Sequence, residues 1–180
     1  MYNLIERAVK IASIAHKGQK RKDDNIPYIF HPVSVGFILL KEGYDDKVVA
    51  AGILHDVLED TDYSKKKMEK EVGRDVVRLV EWVTHNSSLP WQKKKEEYLQ
   101  QLKKAPVKAK AIAAADKIHN LKSFLTAYKM EGESLWKKFH GGKEKKIWFH
   151  KEAYKMLKYK WNHHLLVEYK KLIKQVKKLK

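Results

Sequence analysis

Apolar residues recur at three- and four-residue steps along nearly the whole chain, and this spacing restricts it to helices. In the first segment Leu4, Ile5, Ala8, Val9, Ile11, Ala12 and Ala15 form one broad stripe, the pattern of a helix with a buried face. "KGQKRKDDNIPY" then interrupts with glycine, charge and proline, which predicts an exposed loop. His31-Pro32 predicts a helix start, because proline in a first turn has no N–H to leave unpaired. Gly43 predicts its end. Asp45 caps the next predicted helix, which continues to about Leu58. Further helices are predicted from Ser64 to near Gly73, Asp75 to Thr84, Trp91 to Lys103, Pro106 to Met130, Glu144 to Tyr159 and His163 to Lys178. No run carries the two-residue period of a strand, and neither a repeat nor a composition break divides the chain. The expectation is an all-α, single-domain protein over 1–180, with a core over 1–130 and basic helices over 131–180 packed on it.

The chain has 180 residues, enough for one self-sufficient core. No apolar run approaches the roughly 20 residues that span a bilayer, and charges interrupt the apolar pattern of the N-terminal segment. These features predict a cytoplasmic protein with no membrane partner. With no cysteine in the sequence, any metal site must use nitrogen and oxygen ligands. The net charge of +17 is concentrated late: Lys137 to Lys180 holds 15 lysines against Glu144, Glu152 and Glu168. Arginine, the residue suited to bidentate phosphate recognition, is confined to Arg7, Arg21, Arg74 and Arg78. A solvated lysine surface therefore accounts for the charge more simply than a dedicated nucleic-acid face. Oligomeric state is not encoded in helical periodicity.

The chemistry concentrates in "AAGILHDVLEDT", Ala50 to Thr61, where His55, Asp56, Glu59 and Asp60 crowd one predicted helix end. Carboxylates so close repel one another unless a cation sits among them. Helical spacing places Glu59 four residues after His55 and three after Asp56, over one face. Further ligands must come from elsewhere in the chain. His31 stands at a helix start, and Asp116 follows a run of alanines in "AAADKIHNL", where an aspartate is seldom buried without a partner. His31, His55, Asp56 and Asp116 make a mixed imidazole and carboxylate set of the kind that suits Mn²⁺, Fe²⁺, Co²⁺ or Zn²⁺.

Four separated motifs, "AHKGQKRKDDNIPYIFHP", "GILHDVLEDT", "VTHNSSLP" and "AADKIHNL", carry a family resemblance. In that order they resemble the HD-domain metal-dependent phosphohydrolases, and in detail the hydrolase domain of RelA/SpoT-type enzymes and the stand-alone small alarmone hydrolases. The resemblance covers about Leu4 to Leu125. It implies a helical HD fold and removal of the 3′-pyrophosphate from ppGpp or pppGpp with one Mn²⁺. Carried onto this sequence, it makes His31, His55, Asp56 and Asp116 the metal ligands and Glu59 and Asp60 the catalytic acidic pair. It places Arg21, Lys22 and Asn120 against the nucleotide, with Arg21 set to stack on the base and His119 structural.

Two departures bear on the substrate. The loop reads "RKDDNIPY" where family members often read "RKSGEPY", and His85-Asn86 follow Thr84 where acidic residues are common. Adenosine alarmones, NADPH through its 2′-phosphate, and nucleoside monophosphates remain alternatives, as does a basic nucleic-acid-binding protein on an HD scaffold. "HGGKE" lacks the spacing of a phosphate loop and predicts a turn between helices. His163-His164 are expected to be exposed, and the late aromatics to pack on the core.

Overall fold

A computed structural model describes residues 2–22, 25–86 and 88–180, which leaves Asp23 and Asp24 of the departing loop outside the described residues. Helix α1 (Leu4–Ala15) opens on a capping box: the Asn3 side chain accepts the Glu6 N–H, and the Glu6 carboxylate accepts the Asn3 N–H. The following loop doubles back through an isolated bridge between Lys20 and Pro27. It leads into α2 (Phe30–Lys41), with His31 and Pro32 in the first turn. Helix α3 (Asp46–Leu54) starts at Asp45, whose side chain accepts the Val48 N–H at 3.0 Å.

The expected continuation of this helix to Leu58 is not observed. α3 stops at Leu54, His55 and Asp56 turn, and α4 (Val57–Asp60) is a separate single turn. A side-chain bond of His55 coincides with the break. The imidazole Nδ1 bonds the Gly52 carbonyl at 2.8 Å, occupying the acceptor that the Asp56 N–H would use in a continuous helix. Asp56 settles at φ −95°, ψ −8°, and its carbonyl receives the Glu59 and Asp60 N–H groups. Glu59 thus stands in a separate turn, α4, whose first N–H bonds run to the Asp56 carbonyl.

Next come α5 (Lys65–Val72), α6 (Arg74–Glu81), α7 (Trp91–Lys104) and α8 (Val107–Glu131), close to the predicted bounds. A 3₁₀ helix over Gly132–Lys138, not anticipated from sequence, precedes α9 (Gly142–Lys158) and α10 (His164–Lys178). "HGGKE" forms the turn into α9, with Gly141 and Gly142 at φ +70° and +59°. The described residues contain no strand. Every residue of α8 from Ala109 to His119 is buried, so this helix is surrounded on all sides. α2 lies against α3 and α8, and α10 lies along α8. Trp136, Phe149 and Trp161 are buried where the late elements meet one apolar cluster that runs from Ala8 to Val176. No described helix is long and apolar enough to cross a membrane.

The contact that positions the site is the approach of α2 to α3. A Cβ added at Gly52 would stand 2.3 Å from Leu39 Cδ1, and one at Gly36 would stand 2.5 Å from Ile53 Cγ1. Leu39 is fully buried, so any shift of its side chain displaces core neighbours. We therefore expect Gly52→Ala to destabilise the protein by about 1–3 kcal/mol, the usual range for overpacking a core. Thermal unfolding of the variant beside the unaltered protein measures it.

Candidate metal centre and nucleotide cleft

The close approach brings the first turn of α2 to the last turn of α3, and the middle of α8 closes the group. His31, His55 and Asp116 are all buried, and their ligand atoms lie within 4.8 Å of one another. His31 Nε2 is 3.2 Å from His55 Nε2 and 3.2 Å from Asp116 Oδ1. Asp56 joins through Oδ2, 3.0 Å from His55 Nε2 and 3.6 Å from His31 Nε2. The four predicted ligands therefore come together. Nitrogen and oxygen ligands sit about 2.0–2.2 Å from an ion of the zinc class, which sets neighbouring ligand atoms roughly 3.0–3.5 Å apart. The observed spacings fit such an ion.

The surrounding hydrogen bonds aim these side chains. His55 uses Nδ1 on the Gly52 carbonyl, which turns Nε2 to the centre. His31 Nδ1 meets His119 Nδ1 at 2.8 Å, giving His119 the structural role expected of it. Asp116 receives Lys117 Nζ on Oδ2 at 2.5 Å and Asn120 Nδ2 on Oδ1. Burial would raise the Asp116 pKa, but Lys117 and the two histidines hold it well below the usual carboxylate range. Burial likewise lowers His31, whereas for His55 it is outweighed by Asp56 and Asp116, which raise its pKa well above the ordinary value.

The raised His55 pKa favours a proton on the ring nitrogen that would face an ion. A divalent ion must displace that proton, so affinity falls as pH drops below the His55 pKa. We expect about one proton released per ion bound and about a tenfold loss of affinity per pH unit in that range. Calorimetric titration with Mn²⁺ in buffers of different ionisation enthalpy reads both.

The acidic pair separates. Glu59 lines the same cavity of about 270 Å³ as His31, Asp56 and Asp116, whereas Asp60 lines an adjoining cavity of about 610 Å³ with Arg21 and Lys22. Tyr28, Lys95, Asn120, Phe139 and Lys146 are walls of both, so the two form one cleft with two lobes. Glu59 takes hydrogen bonds from His85, which offset the burial that would raise its pKa and hold it below the ordinary value. Asp60 is raised to about 6 by burial and by the Asp56 and Glu59 charges.

Arg21 donates to Asn120 Oδ1 at 3.0 Å and lies 5.7 Å from the Tyr28 ring centroid, so two of the predicted nucleotide contacts meet. Lys22 is exposed at the rim of the wider lobe. Three further residues were not anticipated. Tyr28 donates to Asp56 Oδ2 at 2.7 Å, and burial beside Asp56 and Asp60 raises its pKa. Lys117 is buried beside Asp116, which raises its pKa against the effect of burial. Lys95 is lowered to about 8 by burial and by Lys117. The available signal for Lys95 was its place three residues before Tyr98, on the buried face of α7. Away from the cleft, His163 and His164 face Glu42; His164 is exposed as expected, whereas His163 is half-buried because it caps α10 through Nδ1.

A helical core carrying histidines and aspartates from three helices around one potential ion defines a metal-site hydrolase scaffold. The HD domain model matches residues 8–144, and the chain belongs to the HD domain family. Curated relatives include proteins named guanosine-3′,5′-bis(diphosphate) 3′-pyrophosphohydrolase MESH1. That of Xenopus tropicalis is 39% identical over 122 residues, 66% of this chain and 68% of the relative. That of Homo sapiens is 41% identical over 118 residues, 64% of this chain and 66% of the relative. The matched region thus spans about two thirds of these relatives. A solved structure, described as a metazoan ortholog of SpoT that hydrolyses ppGpp, superposes with a TM-score of 0.81 over 97% of both chains at 29% identity. A Listeria monocytogenes structure superposes with a TM-score of 0.76 at 32% identity, covering 82% of this chain and 99% of the other.

Proposed function

We propose that this chain, acting as one unit over 1–180, is a metal-dependent hydrolase that removes the 3′-pyrophosphate of ppGpp or pppGpp and leaves GDP or GTP. The observation that carries the proposal is the junction, in a single cleft, of a cluster of imidazoles and carboxylates with a lobe lined by Lys20, Arg21 and Lys22. The names of the curated relatives support the choice of substrate. His31, His55, Asp56 and Asp116 would hold one divalent ion, for which we propose Mn²⁺. Such an ion supplies Lewis-acid polarisation of a phosphoryl oxygen and offsets substrate charge.

Glu59 accepts the proton of the attacking water. It lines the metal-centre lobe and is held ionised, both of which a general base requires. Water attacks the phosphorus attached to the 3′-oxygen, the P–O bond to that oxygen breaks, and the oxygen takes a proton as it leaves. Lys95, Lys117 and Lys146 line the lobe where the pyrophosphate is released, and their charge opposes the accumulating negative charge. Asp60, in the other lobe, orients the substrate beside Arg21 and Lys22. Arg21 stacks on the base, and Asn120 joins that contact to Asp116. A small nucleotide substrate and a cytoplasmic location belong to the same proposal.

Incubation of Mn²⁺-loaded protein with ppGpp, followed by separation of GDP and pyrophosphate, is expected to show metal-dependent release. Asp56→Ala should lower the rate by more than about a hundredfold, since even partners that only orient metal ligands cost 10–100-fold. Hydrolysis of ppApp, of NADPH or of a nucleoside monophosphate in place of ppGpp would reassign the substrate. Arg21→Ala should raise KM by about tenfold or more with kcat nearly unchanged, the signature of a lost binding contact. Steady-state kinetics over a range of ppGpp concentrations separates the two parameters.

A further inference from the structure

We propose that His85 is a positioning residue for Glu59, held in a single tautomer by Lys95, so that Lys95, His85 and Glu59 act as one relay along the wall of the metal-centre lobe. This assignment rests on the hydrolase reading above.

The relay is built from fixed parts. After α6 the chain is secured by Gln101 of α7, whose side-chain amide donates to the carbonyls of Trp82 and Thr84 at 2.9 and 3.1 Å. That anchorage sets the position of His85, the next residue. The His85 ring stacks on Tyr98, with centroids 3.8 Å apart and planes 26° from parallel. Tyr98 is itself buried, so the ring has little freedom to turn. Two donors of His85 then converge on one oxygen: the backbone N–H reaches Glu59 Oε2 at 2.9 Å, and Nδ1 reaches it at 2.6 Å. The other Glu59 oxygen takes neither bond and is left to accept a proton.

The tautomer follows from the far side of the ring. His85 Nε2 lies 3.1 Å from Lys95 Nζ. An ammonium only donates, so Nε2 must present its lone pair and the ring proton must sit on Nδ1, facing Glu59. Burial supports a neutral ring, lowering His85 to about 4. Lys95 is also a wall of both lobes of the cleft, and its ammonium has further donors for a phosphate oxygen. The cation that meets the substrate therefore also sets the donor that fixes the base.

The tests use the full-length, Mn²⁺-loaded protein with ppGpp. His85→Ala is expected to lower kcat about 10–100-fold with KM within about threefold, part of the 10²–10⁴-fold that a well-placed acid–base group supplies. His85→Asn puts an amide nitrogen near the place of Nδ1 and should restore most of that loss; His85→Gln, which mimics Nε2, should not. Thermal melts of the three variants verify that they fold. A His85→Ala protein that keeps kcat within about threefold, or an equal loss in His85→Asn and His85→Gln, overturns the positioning role. ¹⁵N chemical shifts of the His85 ring, recorded with diamagnetic Mg²⁺ in place of Mn²⁺ and without substrate, read the tautomer without reference to turnover. A protonated Nδ1 with a bare Nε2, disturbed by Lys95→Met, supports the relay, and an imidazolium or the opposite tautomer overturns it. Absence of hydrolysis by the unaltered protein on every nucleotide tried overturns the functional reading and with it the role of Glu59. Hydrolysis that is indifferent to His85 removes the relay alone.

Discussion

Two carboxylates and two imidazoles, drawn into a space that suits an ion, set the terms for the rest of this structure. Buried carboxylates without a counter-charge are costly, and here Asp116 is 6% exposed and Asp56 lies against two histidine nitrogens. Lys117 and the phenol of Tyr28 each answer part of that demand, and the two aspartates in turn raise the pKa of His55. Neither Lys117 nor Tyr28 occupies the centre, where an ion fits by distance. The close contact of α2 with α3 across Gly36 and Gly52, and the burial of α8 on all sides, deliver the four ligands to one point.

Most of the helices and all four candidate ligands were legible in the sequence, because both are written in local patterns. Apolar periodicity reports which face of a segment is buried, and the HD and ADKIHN motifs are short and contiguous. The break after Leu54 was not legible. It depends on a side chain bonding a main-chain carbonyl, and the apolar spacing of "AAGILHDVL" is the same with or without that bond. Glu59 accordingly stands in the separate turn α4, after the break. Lys95 and Lys117 were hidden for a different reason. In a chain with so many lysines, a charge run reads as solvated surface, and only tertiary placement beside Glu59, His85 and Asp116 marks these two out. His85 was visible as a departure from the family pattern, but its partner Glu59 stands 26 residues earlier in the chain.

The division of the acidic pair is the main point at which three-dimensional placement refines the sequence reading. Adjacent in sequence, Glu59 and Asp60 turn to different lobes and titrate in opposite directions. The same burial acts on both, and hydrogen bonding decides between them. Glu59 has two donors from His85 on one oxygen, whereas Asp60 sits nearest to other negative charge.

The bond between Arg21 and Asn120 has a consequence for recognition. The guanidinium is held against Tyr28 and Asn120 by the protein's own contacts, so its long side chain keeps little rotational freedom. Because Asn120 also bonds Asp116, the Arg21 arm is anchored, through one amide, to the cluster of His31, His55 and Asp116. A shift in the position of Arg21 is therefore passed, through Asn120, to the carboxylate of Asp116.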